Sequence, residues 1–95
     1  MRVKVKYMAG AREITSTREE IIETNNSSTV MGLLRLLSEK HGQRMRDYLF
    51  DPATDKPRAY LQFLLNGRSV QMINGFDTAL SEDSTLLIVP PVSGG

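Results

Sequence analysis

The sequence contains no cysteine in its 95 residues. That absence removes disulfide frameworks, thiol nucleophiles and cysteine-ligated iron–sulfur or metal centres. A single histidine, His41, excludes sites built from several imidazoles. Charge of one sign is also lacking: twelve Lys and Arg against eleven Asp and Glu leave a formal net charge of +1. Such a balance provides no strong field for nucleic acid or an anionic membrane, and no basic stretch is interleaved with aromatics. No apolar run approaches the roughly 18 residues of a membrane span. The opening Met1-Arg2-Val3-Lys4-Val5-Lys6 alternates, unlike the apolar block of a secretory signal. Asp51, Asp55, Asp77 and Asp83 have no metal-loop spacing and read as turn residues, and no nucleophile–base constellation is visible. The expectation is a soluble cytoplasmic domain that binds no metal, nucleic acid or membrane and is not itself an enzyme.

What is present suffices for one small domain: 40% hydrophobic and 24% charged residues are ordinary for a globular chain of this length. Val3, Val5 and Tyr7 alternate with Arg2, Lys4 and Lys6, the pattern of a half-buried strand with a solvated basic face. Ala9-Gly10-Ala11 breaks that pattern, and a second strand near residues 18–24 is expected to return antiparallel to the first. Asn25-Asn26-Ser27-Ser28 is a turn cluster leading to Thr29, a good helix N-cap. Val30, Leu33, Leu34 and Leu37 then mark one face of an amphipathic helix. Gly32 costs this helix roughly 1 kcal/mol relative to Ala, which suggests close approach of a neighbouring backbone. His41 suits a capping or solvated place at the helix end, and Gly42 suits the C′ position. Met45, Tyr48, Leu49 and Phe50 fit a short further helical turn.

Asp51 to Pro57 reads as a surface loop, because its two prolines cannot donate backbone hydrogen bonds. Tyr60 to Leu65 is a dense strand signal followed by Asn66-Gly67, the favoured pair of a type I′ hairpin. Val70, Met72 and Ile73 are expected on the return strand, Leu80 to Ser84 in a tight turn, and Thr85 to Val89 in the last strand. The order strand, strand, helix, strand, short strand, strand predicts an α+β fold with one main helix on a mixed sheet.

The chain closes with Val89-Pro90-Pro91-Val92-Ser93-Gly94-Gly95. Pro90 and Pro91 cannot extend a sheet ladder and favour a stiff, extended exit. Six extended residues project about 20 Å, and Gly94-Gly95 can enter a channel where any Cβ would collide. An α-carboxylate has a pKa of about 3.3–3.7, so at neutral pH it is ionised and a poor electrophile. Converting it to an acyl-adenylate would activate it towards a sulfur nucleophile or an amine. Diglycine alone also fits a frayed terminus; its placement directly after Pro-Pro and a core strand favours a working tail.

Taken with that tail, the element order resembles the MoaD/ThiS sulfur carriers of the ubiquitin-like β-grasp fold, and most of all MoaD. The resemblance covers nearly the whole chain. It rests on the Pro-Pro-Val-Ser-Gly-Gly terminus, on Ala11-Arg12-Glu13 after the first strand, on Thr29-Val30 and on Leu64-Leu65-Asn66-Gly67. The Leu80-Ser81-Glu82-Asp83-Ser84 turn matches in kind, although Glu82-Asp83-Ser84 stands where Asp-Gly-Asp is frequent. The longer middle section resembles the archaeal members, some of which are small archaeal modifier proteins. The resemblance implies a β-grasp domain over residues 1–89 and an extended tail over 90–95. It implies that an ATP-dependent, ubiquitin-activating-like adenylyltransferase activates Gly95, which becomes a thiocarboxylate. Pro90, Pro91, Val92, Ser93 and Gly94 would lie in the active site of the large subunit of molybdopterin synthase. In the modifier version, a target lysine captures Gly95 in an isopeptide bond; Lys4, Lys6, Lys40 and Lys56 are candidates for self-conjugation, with Lys56 the most accessible. No cofactor is bound by the chain itself. Alternation turns Leu87 and Val89 outward, as candidate anchors for a partner. A passive β-grasp binding module is the reading from a different class, and it would tolerate loss of Gly94-Gly95.

Overall fold

A computed structural model describes residues 1–91. Strand β1 (Arg2–Lys6) buries Val3 and Val5, and β2 (Glu19–Glu23) returns antiparallel to it with Val3 opposite Ile22. The main helix follows as the sequence predicts. In α2 (Val30–His41), counted second in chain order, the Thr29 hydroxyl accepts from Gly32 N–H at 3.1 Å. Val30, Leu33, Leu34 and Leu37 are fully buried. The helix stops at Gly42, whose φ of 87° lies in the left-handed region that glycine enters without a Cβ penalty. Helix α3 (Gln43–Leu49) supplies the expected extra turn and buries Met45 and Leu49.

Strand β5 (Gln62–Leu65) turns at Asn66-Gly67, both with positive φ, into the two-residue β6 (Arg68–Ser69). The last strand, β7 (Thr85–Val89), runs parallel to β1 and antiparallel to β5. The sheet order is β2-β1-β7-β5-β6, so the first and last strands lie side by side at its centre. One face carries the core, in which Leu86 and Ile88 of β7 meet Val3, Val5, Phe63 and the α2 leucines. This is the ubiquitin-like β-grasp arrangement, with a five-stranded mixed sheet and three α-helices among the described residues.

Four local expectations differ from the structure. Between β1 and β2 lies a helix, α1 (Ala9–Thr15), starting at Ala9-Gly10-Ala11 where a break was expected and running into the stretch whose Ile14, Ile21 and Ile22 fit either a helical stripe or a short strand. It has no side-chain cap, begins at Ala9 with φ 47° and ends at Ser16 with φ 60°, so the usual boundary residues are missing. Tertiary packing holds it instead: Ala11 is fully buried, and a Cβ at Gly10 would lie 2.5 Å from the Tyr48 ring. Residues 51–57 are not wholly loop, because β3 (Phe50–Asp51) and β4 (Lys56–Pro57) form a small separate hairpin. Its turn is closed by Asp51, whose carbonyl accepts from Asp55 N–H and whose side chain accepts from Ala53 N–H.

The return strand after Gly67 ends at Ser69, and Val70–Met72 is a 3-10 turn. Ser69 Oγ accepts from Gln71 N–H and Val70 fills the core, so Met72 and Ile73 stand 76% and 43% exposed instead of lining a sheet. Gly32 is not forced by close packing either. A Cβ there would meet only Thr29 Oγ1 at 3.6 Å, an ordinary contact.

Candidate functional site

The core strand β7 delivers the chain end. Val89, opposite Gln62 of β5, is its last residue; Pro90 is half-buried and Pro91 exposed. The ladder stops there because neither proline offers an N–H. Val92, Ser93, Gly94 and Gly95, expected to complete the tail, lie outside the described residues.

Leu87 and Val89 alternate with the buried Leu86 and Ile88, so they occupy the sheet face away from the helices, both half-buried. Leu87 stands between Leu64 of β5 and Lys6 of β1. Together Leu64, Leu87 and Val89 form a short apolar strip leading towards Pro90. Towards β2 the same face becomes charged: Lys6 faces Glu19, Arg2 faces Glu23, and Lys4 Nζ lies 3.2 Å from Glu19. Ile21 interrupts those charges at 51% exposure. Lys56, on β4, is exposed and away from that face, whereas Lys4 is engaged with Glu19 and Lys40 with Glu20.

One polar cluster has no counterpart in the sequence reading. His41 neither caps α2 nor stands free in solvent: its Nε2 lies 2.5 Å from Glu20 Oε1. The Tyr7 hydroxyl donates to that same oxygen, and Lys40 Nζ lies 2.9 Å from Oε2. Burial alone would raise the Glu20 carboxyl, but the bonds from Tyr7, His41 and Lys40 outweigh it and hold the group below the usual carboxylate range. Burial, followed by the bond to Glu20 and its negative charge, pushes the Tyr7 phenol far above its ordinary value. Both carboxylate oxygens are therefore occupied, and the cluster clasps β1, β2 and the end of α2 together. No spacing signal marks it, because Tyr7 and His41 are 13 and 21 residues from Glu20. Among the described residues, no group of three or more His, Asp or Glu is placed to hold a metal ion, and no helix is long and apolar enough to cross a membrane.

A mixed sheet packed on one main helix, with its central strand ending at Pro90-Pro91, defines a ubiquitin-like β-grasp protein. The ThiS family model matches residues 5–95, and the chain belongs to that family. It is 27% identical to small archaeal modifier protein 3 of Haloferax volcanii, with both chains covered in full. The crystal structure of SAMP1 from Haloferax volcanii superposes with a TM-score of 0.86 at 22% identity, again over both whole chains, which establishes the fold. A putative molybdopterin converting factor, subunit 1, from Pyrococcus furiosus matches with a TM-score of 0.76 and 27% identity, covering 96% of this chain and 98% of the other. The chain is thus a member of the ubiquitin-like family of small modifiers and sulfur carriers.

Proposed function

We propose that the chain is a sulfur carrier whose C-terminal Gly95 is adenylated by an ATP-dependent partner enzyme and converted to a thiocarboxylate. The observation that carries this reading is a ThiS-family chain whose central strand leads through Pro90-Pro91 to Val92-Ser93-Gly94-Gly95. The chemistry follows from the carboxylate. One of its oxygens attacks the α-phosphate of ATP, pyrophosphate leaves, and the acyl-adenylate makes the carbonyl carbon electrophilic. Sulfide then attacks that carbon, AMP leaves and the thiocarboxylate remains; a persulfide donor would give an acyl disulfide, which a second thiol of the partner must reduce, releasing the thiocarboxylate and forming a disulfide on the partner. Every reacting group other than the carboxylate belongs to the partner, so this chain acts as a stoichiometric carrier and not as an enzyme, within the cytoplasm. It binds no cofactor of its own; ATP is bound by the activating enzyme.

Residues 1–89 then form the recognised body and 90–95 the working tail. Pro90 and Pro91 hold the tail clear of the sheet, and Val92, Ser93 and Gly94 thread the partner's channel. Leu87 and Val89, beside the exit, anchor the partner. In the use resembling the Pyrococcus furiosus protein, the sulfur passes to a pterin precursor held by the large subunit of molybdopterin synthase, and the Gly95 carboxylate is regenerated. The full-length likeness to a small archaeal modifier protein favours a second use of the same activated end: a lysine ε-amine attacks the Gly95 carbonyl, AMP leaves, and an isopeptide bond forms. Lys56 is the candidate for self-conjugation.

Intact-mass measurement tests the shared step. After incubation with host-cell extract, ATP and a sulfur source, the chain gains the mass of one oxygen replaced by sulfur, and the variant lacking Gly94-Gly95 does not. An unchanged mass in an extract that activates a known carrier overturns the reading and leaves a passive β-grasp module. Branched lysine peptides would add the modifier use.

A further inference from the structure

A second surface lies off the sheet face just described, at the opposite end of the sheet from β2. A groove of about 700 Å³ opens between α2, the β4–β5 connection and the 3-10 turns that follow β6. Its floor is apolar: Met31, Leu61, Phe63, Val70 and Phe76, with Phe63 and Phe76 edge to face at 5.5 Å. Strand β6 pairs only with Leu64 and Leu65, so among the described residues no strand lies beside Gln62 and Phe63 on that side. The rim carries Lys56 and Arg58, and no acidic residue lines the groove.

The two cations are the informative part. Arg58 is oriented, since its Nε and Nη2 donate to the Asp47 carbonyl at 3.2 and 2.9 Å and its guanidinium lies 6.0 Å from the Tyr60 ring centroid. Neither Arg58 nor Lys56 lies within 4.0 Å of a carboxylate among the described residues, whereas nearby Arg35 and Arg46 both pair with Asp55. The half-buried Met31 and Phe76 lie over the buried Leu61, Phe63 and Val70, and such an apolar floor beside two cations without carboxylate partners among the described residues is complementary to a chain that is apolar along its length and acidic at one end. The groove also adjoins the point where the tail leaves the fold, because Gln62, which lines it, is the register partner of Val89.

We propose that this groove is a docking site for an extended segment of a partner protein, with two or three aliphatic side chains on the apolar floor and a carboxylate against Lys56 and Arg58. The site does not depend on activation of Gly95, so it stands or falls separately from the sulfur-carrier reading. The test is titration of the full ¹⁵N-labelled chain with a capped synthetic peptide, Asp-Glu-Val-Leu-Val, followed by amide chemical shifts. The expected result is saturable binding with a dissociation constant of about 10–300 µM. The largest shifts should fall on Met31, Leu61, Phe63, Val70 and Phe76. Lys56→Glu, at a side chain that makes no hydrogen bond or ion pair among the described residues, should weaken binding about tenfold, and Lys56→Glu with Arg58→Glu should weaken it further. A Lys-Lys-Val-Leu-Val peptide should restore affinity to the double variant while binding the wild type poorly.

Absence of binding overturns the proposal, as do shifts centred on Leu64, Leu87 and Val89, or equal affinity of wild type for the acidic and basic peptides. If deletion of residues 92–95 raises the affinity about tenfold, the groove's occupant is the chain's own tail. If the same resonances move with protein concentration alone, the occupant is a second copy. Either result rejects a partner segment.

Discussion

Glu20 holds more of the fold together than any other charged side chain described above. Its carboxylate takes three bonds, one from Tyr7 just past β1 and two from Lys40 and His41 at the end of α2, and those bonds keep its pKa below the ordinary value. A carboxyl depressed in the folded state adds stability above its unfolded pKa, about 4.3, and loses that contribution as pH falls through the lower folded value. Glu20→Gln should therefore cost about 1–3 kcal/mol at pH 7. In urea unfolding, the gap between wild type and variant should narrow as the pH is lowered from 5 towards 3. Gly10 is the opposite kind of residue, valuable for what it omits. Gly10→Ala puts a methyl group against the Tyr48 ring and should destabilise by about 1–3 kcal/mol, despite alanine's better helix propensity. Neither effect was legible in the sequence. The partners of Glu20 are distant along the chain, and the ring that confines Gly10 belongs to a different helix.

At the scale of elements, legibility followed periodicity and length. Strand β1, helix α2 and strand β7 each repeat an apolar residue often enough to declare a face, and Asn66-Gly67 names its own turn. The Thr29 cap was likewise visible as a residue type in the right place. Helix α1 and the β3–β4 hairpin were not, because seven residues without a polar cap and two strands of two residues carry too little pattern. Their stability comes from packing into the core, through Ala11 of α1 and Phe50 of β3. Within α2 the structure turns a cost into an opportunity. A Cβ at Gly32 would make only an ordinary contact with Thr29 Oγ1, so Gly32→Ala should stabilise the protein by about 0.5–1 kcal/mol, seen as a higher denaturant midpoint with an unchanged slope. On β7, Leu87→Asp with Val89→Asp should retain the fold, checked by the amide spectrum, and abolish binding to the activating enzyme. Wild-type affinity in that variant would move the partner surface elsewhere.

For the whole molecule, the family was readable from the order of elements and the final seven residues, since these two features are physically linked. A tail can be presented stiffly only if the strand before it is anchored in the core, and β7 is anchored on both sides by β1 and β5. Leu87 and Val89 could be placed on the outward face by alternation alone. The groove beside Lys56 and Arg58 could not, since it is assembled from α2, β5 and two 3-10 turns that no local pattern brings together. Its charge also escapes composition: a net charge of +1 hides two cations on one rim that have no carboxylate partner among the described residues.

The parallel pairing of β1 with β7, Lys4 with Thr85 through Lys6 with Leu87, has a mechanical consequence. A load applied through Gly95 and opposed at Met1 pulls these two neighbours past each other along their own length. The ladder bonds between them then bear the load together, in shear, and cannot open one after another like a zipper. The protein resists being drawn out by its tail far more than it resists peeling of β2 from the sheet's edge. Between its two ends, then, the strength of the domain is that of the whole β1–β7 ladder taken at once.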